Sequence, residues 1–141
     1  MKYFKNTLLF LLPLVITSNL YADNGIEKKI LIKSTKSWNG ATLPNYSKGQ
    51  PEITIARIKI QPGEKLPWHY HPFANAGVLI SGELTVITKD GQKNVLKAGE
   101  AIIAVVDTLH YGFNSGNTIV DIIMVYAGIE NKPVTILENK Q

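Results

Sequence analysis

The sequence predicts a single all-β domain, a barrel or a sandwich, and three observations carry the prediction. Short runs rich in Val, Ile and Thr recur at intervals of roughly 8 to 12 residues between positions 29 and 137. Gly, Pro, Asn and Asp punctuate them at nearly every junction. Beyond the first 22 residues no window shows a convincing 3.6-residue apolar period.

Taken in order, residues 1–22 stand apart from the fold. Lys2 and Lys5 lead into an apolar stretch from Leu8 to Ile16, broken by Pro13, and a more polar run ends at Ala22. That is the pattern of a secretory signal peptide cleaved after Ala22, its apolar core shorter than the roughly 20 residues a spanning helix needs. The expectation is export to a periplasm or the exterior, with no stable membrane insertion after cleavage. Residues 23–141 then form one domain. Residues 23–28 are expected to form at most a short helical turn.

Strands are expected at 29–36, 52–60, 76–80, 83–88, 92–97, 101–105, 111–114 and 118–126, with a last one at 133–137. Gln61-Pro62-Gly63-Glu64 places Pro then Gly at the centre of a type II turn. Lys89-Asp90-Gly91-Gln92 carries an Asp-Gly hairpin signal between Leu84-Val86 and Val95-Leu96. Ser81-Gly82 and Asn114-Ser115-Gly116-Asn117 mark two further turns.

Composition removes several kinds of chemistry. The chain has no cysteine, so thiolate metal sites, thiol catalysis and disulfides are excluded. The net charge of +4 falls to +2 without Lys2 and Lys5, and the remaining lysines are scattered. Nucleic acid is therefore not an expected partner. No glycine-rich phosphate loop, Ser-His-acid arrangement or carboxylate pair stands out.

Chemistry concentrates in the three histidines. His69 and His71 alternate in Pro67-Trp68-His69-Tyr70-His71-Pro72, and His110 follows in Asp107-Thr108-Leu109-His110-Tyr111. Residues i and i+2 of a strand share a face, so one strand can aim His69 and His71 inward. A third imidazole from a neighbouring strand would supply half of a metal's shell. Imidazole suits zinc, iron, copper and nickel, and three ligands leave positions open for water or substrate. The bland alternative is three polar side chains lining a metal-free pocket.

These motifs resemble those of the cupin family. The first runs from Gly63 through His69, His71 and Pro72 to Ala76-Gly77-Val78-Leu79-Ile80-Ser81-Gly82, and the second from Gly99 through His110 to Asn114. The resemblance implies a double-stranded β-helix, the cupin jelly-roll barrel, covering the whole domain. It also implies one divalent transition metal (Fe, Zn, Cu, Ni or Mn) on His69, His71 and His110. Two departures from the family pattern stand out. Asn75 stands where the first motif normally carries a glutamate ligand, and Val105 and Asp107 replace a proline and a glycine before His110. Asn75 could ligate through its amide oxygen or hold a ligated water. A small exported subgroup is similar in having this Asn, the Trp-His-x-His-Pro context and the Tyr126-Ala127-Gly128 ending.

A divalent ion among neutral ligands keeps its +2 charge uncompensated, which favours an anionic small-molecule ligand. Phe73 and Tyr111, beside the metal motifs, are expected at the pocket mouth. Arg57, the lone arginine, is a candidate carboxylate anchor for substrate if it points inward. Trp68 and Tyr70 alternate with the histidines and should point away. Two functions fit: a metal-dependent enzyme of dioxygenase, isomerase or decarboxylase type, or a non-catalytic ligand-binding barrel. The resemblance further implies a homodimer, by sheet packing or by exchange of residues 29–36.

Overall fold

The computed structural model describes residues 22–23 and 25–139. Apart from Ala22, the expected signal segment lies outside them. Two units divide the chain after Ile30. In the first, β1 (Ala22–Asp23) and β2 (Ile26–Glu27) form a small antiparallel pair. A hairpin therefore replaces the helical turn expected at 23–28, because Gly25 at φ 79° lets the chain reverse there.

The second unit is all-β, and no helix occurs among the described residues. One sheet holds β3 (Pro51–Ile60), β10 (Val120–Ile129), β5 (Asn75–Ser81) and β8 (Ala101–Ile103), in that spatial order. The other holds β11 (Ile136–Leu137), β4 (His69–Tyr70), β9 (His110–Asn114), β6 (Glu83–Thr88) and β7 (Lys93–Lys97). Every ladder is antiparallel.

Alternation decides what each strand buries. Ile58 and Ile60 of β3, Leu79 of β5, Leu84 and Val86 of β6, and Ile122 and Met124 of β10 meet in one core between the sheets. Leu79 and Val120 are completely buried. Asn114 is also fully enclosed, because its amide is completely used. Nδ2 donates to the carbonyls of Ile60 and Thr118, each at 2.8 Å, and Oδ1 accepts from the Gly116 N–H at 3.0 Å. This one side chain closes the turn after β9 and ties it to the end of β3.

The predicted turns take the conformations their residues favour. Gly63 has φ 80°, and the Glu64 N–H donates to the Gln61 carbonyl at 3.0 Å, as a type II turn requires. Asp107 has φ 50°, a left-handed conformation in which Asp is one of the few tolerated side chains. The turn before His110 survives without glycine, and the Asp107 N–H donates to the His71 carbonyl at 2.9 Å.

The expected strand at 29–36 does not form. Ile30, Leu31 and Ile32 are exposed, and only Lys36 bridges, to Thr42. The Lys36 N–H turns to the Ser34 hydroxyl at 2.8 Å, a local bond that competes with a ladder. β4 carries His69 and, at two residues, is shorter than the one strand expected to aim His69 and His71 together.

Candidate metal centre

The five-stranded sheet brings the three histidines together. His69 of β4 faces His110 of β9 in the ladder, and His71 follows one residue beyond β4 on the same face. His69, His71 and His110 are 7%, 4% and 4% exposed. Their ring centroids lie 4.5 to 5.0 Å apart, and one nitrogen from each falls within 4.8 Å of the others.

Backbone carbonyls orient all three rings. The Nδ1 atoms lie 2.7 Å from the Pro67 carbonyl for His69, 2.9 Å from the Val134 carbonyl for His71 and 2.8 Å from the Thr108 carbonyl for His110. A carbonyl oxygen only accepts, so each Nδ1 carries the proton and donates. Each neutral ring therefore keeps its lone pair on Nε2. Burial pushes His71 and His110 down to about 4 and lowers His69 as well, so all three are neutral at pH 7. Three convergent lone pairs repel one another unless a cation lies among them. The donor set fits a divalent transition ion, and protons compete for it only in acid.

Asn75 stands at the start of β5, opposite Tyr126 in the ladder and 3% exposed. Its Nδ2 donates to the Phe73 carbonyl at 3.0 Å, while its buried Oδ1 has no protein partner. A buried, unpaired carbonyl costs on the order of 1–3 kcal/mol, which a cation or a metal-bound water would offset. The Tyr126 ring is 5.2 Å from that of His71, and burial raises its hydroxyl above the usual phenol range. Sequence reasoning noted Tyr126 only as part of a Tyr-Ala-Gly ending. Its place two residues beyond Met124, on the inward face of β10, was the available signal.

A cavity of about 60 Å³ adjoins the histidines. Apart from them and Tyr126, its lining is aliphatic or thioether side chains and the backbone of Gly112. The three other candidate pocket residues lie elsewhere. Arg57 is on the outer face of β3, paired with Asp121 through Nε–Oδ1 at 2.9 Å and Nη2–Oδ2 at 2.7 Å. Ile58 and Ile60 take the inward positions, so Arg57 has the wrong parity to anchor a substrate. Tyr111 follows the inward His110 and therefore points out, edge-on to Trp68 with ring centroids 4.6 Å apart. Phe73 lines a separate hollow with Pro44, Tyr46 and Ala127. Trp68 turns away from the histidines, as alternation predicts, and lines an outer cleft with Lys65, Tyr111 and Glu138.

Comparison with known proteins agrees with this architecture. A family profile described as a cupin domain matches residues 56–126. No curated protein matches the sequence. Among solved structures, an uncharacterized conserved double-stranded β-helix protein from Klebsiella pneumoniae is similar at 25% identity and a TM-score of 0.54. The match covers 68% of this chain and 90% of that one. An oxalate oxidase in complex with the substrate analogue glycolate is similar at 26% identity and a TM-score of 0.52, over 60% of this chain. The present chain spans less than half of that enzyme, 45% of its length. A DMSP lyase from Ruegeria pomeroyi shares the fold at 14% identity and a TM-score of 0.52, over 60% of this chain and 42% of that one.

Proposed function

The chain belongs to the cupin family, and from that premise we propose that it is an exported protein holding one divalent transition metal on His69, His71 and His110. A small anionic molecule binds at the open positions. The observation that carries this reading is the common orientation of the three rings. Each holds its Nδ1 against a backbone carbonyl, which leaves Nε2 as the free nitrogen, and one ring nitrogen of each lies within 4.8 Å of the others. Bound there, the metal supplies Lewis acidity without a compensating protein charge, because imidazole and amide are both neutral. Asn75 Oδ1 either ligates the ion or accepts a hydrogen bond from a water on it.

The lining of the cavity favours capture of a ligand over turnover. Among the described residues, only Tyr126 and the histidines themselves offer a titratable group there. Acid-base catalysis requires a positioned proton carrier, and the histidines are committed to the metal. Tyr126 is the one remaining carrier for an oxidase-, isomerase- or decarboxylase-type reaction.

A homodimer is part of the proposal. Ile53, Ile55 and Val125 are 59%, 69% and 40% exposed on the outer face of the four-stranded sheet. The ladders set Ile55 beside Val125 and Val125 beside Ala76, a continuous apolar strip of the kind that marks an interface. Sedimentation should give twice the chain mass, and Ile55→Lys should return it to one.

The metal reading is tested by calorimetric titration of chelator-stripped protein with a divalent transition ion. One equivalent should bind, and His110→Ala should abolish binding while keeping the β-sheet circular dichroism. Equal binding by the variant would refute the assignment.

A further inference from the structure

The cavity beside the histidines differs in character from the ions and polar metabolites a bare metal attracts. Ile58, Leu66, Leu84, Val86, Ile122 and Met124 surround it. Among the described residues, no lysine, arginine or carboxylate lines it, and apart from the histidines the Tyr126 hydroxyl is the one polar side-chain group in the lining. Arg57, the lone arginine, is spent outside on Asp121. A ligand entering here can neutralise the metal with one negative group, but a second charge or a distal hydroxyl placed away from Tyr126 meets hydrocarbon. The volume of about 60 Å³ accommodates only a few groups of water or methylene size.

We propose that the ligand of this site is a small monoanion with a short aliphatic body, a carboxylate of about three or four carbons. The proposal rests on the metal reading above and adds the chemistry of the ligand's remainder. The carboxylate meets the metal and the alkyl group lies among Leu84, Val86 and Ile122. Each methylene added up to butyrate should tighten binding about fourfold, the ordinary yield of burying one CH₂. Hexanoate exceeds the available volume and should bind more weakly than butyrate. Replacing the terminal methyl of butyrate by a hydroxyl, in 3-hydroxypropanoate, should weaken binding at least about tenfold. Succinate, with a second carboxylate, should weaken it further.

The test uses protein loaded with Co²⁺, whose visible spectrum reports ligand exchange at the metal. Azide serves as a small anion without a body, and acetate, propionate, butyrate, hexanoate, 3-hydroxypropanoate and succinate are titrated in parallel. The expected order is butyrate above propionate above acetate, with 3-hydroxypropanoate well below butyrate and succinate weakest. Val86→Thr places a hydroxyl in the lining at nearly constant volume and should narrow the gap between butyrate and 3-hydroxypropanoate. A spectrum that responds to azide but shows no dependence on chain length, or tighter succinate than butyrate, would overturn the inference and leave the metal site standing. Failure to take up cobalt would overturn both.

Discussion

Acid should unfold the metal-free protein through its three buried histidines. Burial holds His71 and His110 at about 4 in the folded chain, against 6.5 for an exposed ring, and lowers His69 too. The unfolded chain takes up protons from pH 6.5 downward, while the folded chain refuses them until about pH 4. Stability present above pH 6.5 is therefore lost as the pH falls through that window. Each ring contributes a slope of about 1.4 kcal/mol per pH unit, on the order of 3 kcal/mol by the lower limit. Either ring alone is a large share of the stability of an ordinary domain, about 5–15 kcal/mol. Urea midpoints of chelator-stripped protein, measured from about pH 7.5 to about pH 4.5, should fall steadily below pH 6.5. His71→Leu, which cannot be protonated, should reduce the slope, and saturating metal should shift the loss to lower pH. A midpoint that stays level or rises across the window would refute the burial argument.

Three further outcomes follow from particular contacts. A Cβ on Gly77 would lie 2.2 Å from Met124 Sδ and 2.6 Å from the Ile123 carbonyl. The thioether can move but the ladder carbonyl cannot, so Gly77→Ala should cost about 1–3 kcal/mol and lower the Tm in a thermal melt. Asn114→Ala strands the Ile60 and Thr118 carbonyls and the Gly116 N–H, and should cost at least about 3 kcal/mol by chemical denaturation. Arg57→Gln should leave metal and carboxylate affinities unchanged in calorimetry, because the guanidinium points away from the cavity. A loss of carboxylate binding would return Arg57 to the site.

Much of the fold was legible because its strands alternate or sit between explicit turns. Residues 83–88 were bounded without error by Gly82 and the Asp90-Gly91 turn. The pairing of His69 with His71 was legible from their i, i+2 spacing, and the place of His110 beside them from the resemblance to the cupin motifs. β3 was ambiguous for a physical reason. Ile53 and Ile55 stand at one parity and Ile58 and Ile60 at the other, so both faces read as apolar and the side of Arg57 could not be assigned. The outward isoleucines are exposed in the single chain, and their burial in a dimer would explain the double pattern. Tyr111 was misplaced by proximity in sequence, although its adjacency to an inward His110 already implied the opposite face. The run at 29–36 looks like a strand because Ile30, Leu31 and Ile32 have β propensity, but propensity forms no ladder without a partner.

The most direct test of the central claim is the metal content of protein purified untagged from its host, by mass spectrometry, beside the His69→Ala/His71→Ala double variant. The account predicts near one equivalent of a single transition metal in the native protein and none in the variant. No metal in either protein, with equal stability, would contradict it and leave a metal-free barrel with three neutral histidines.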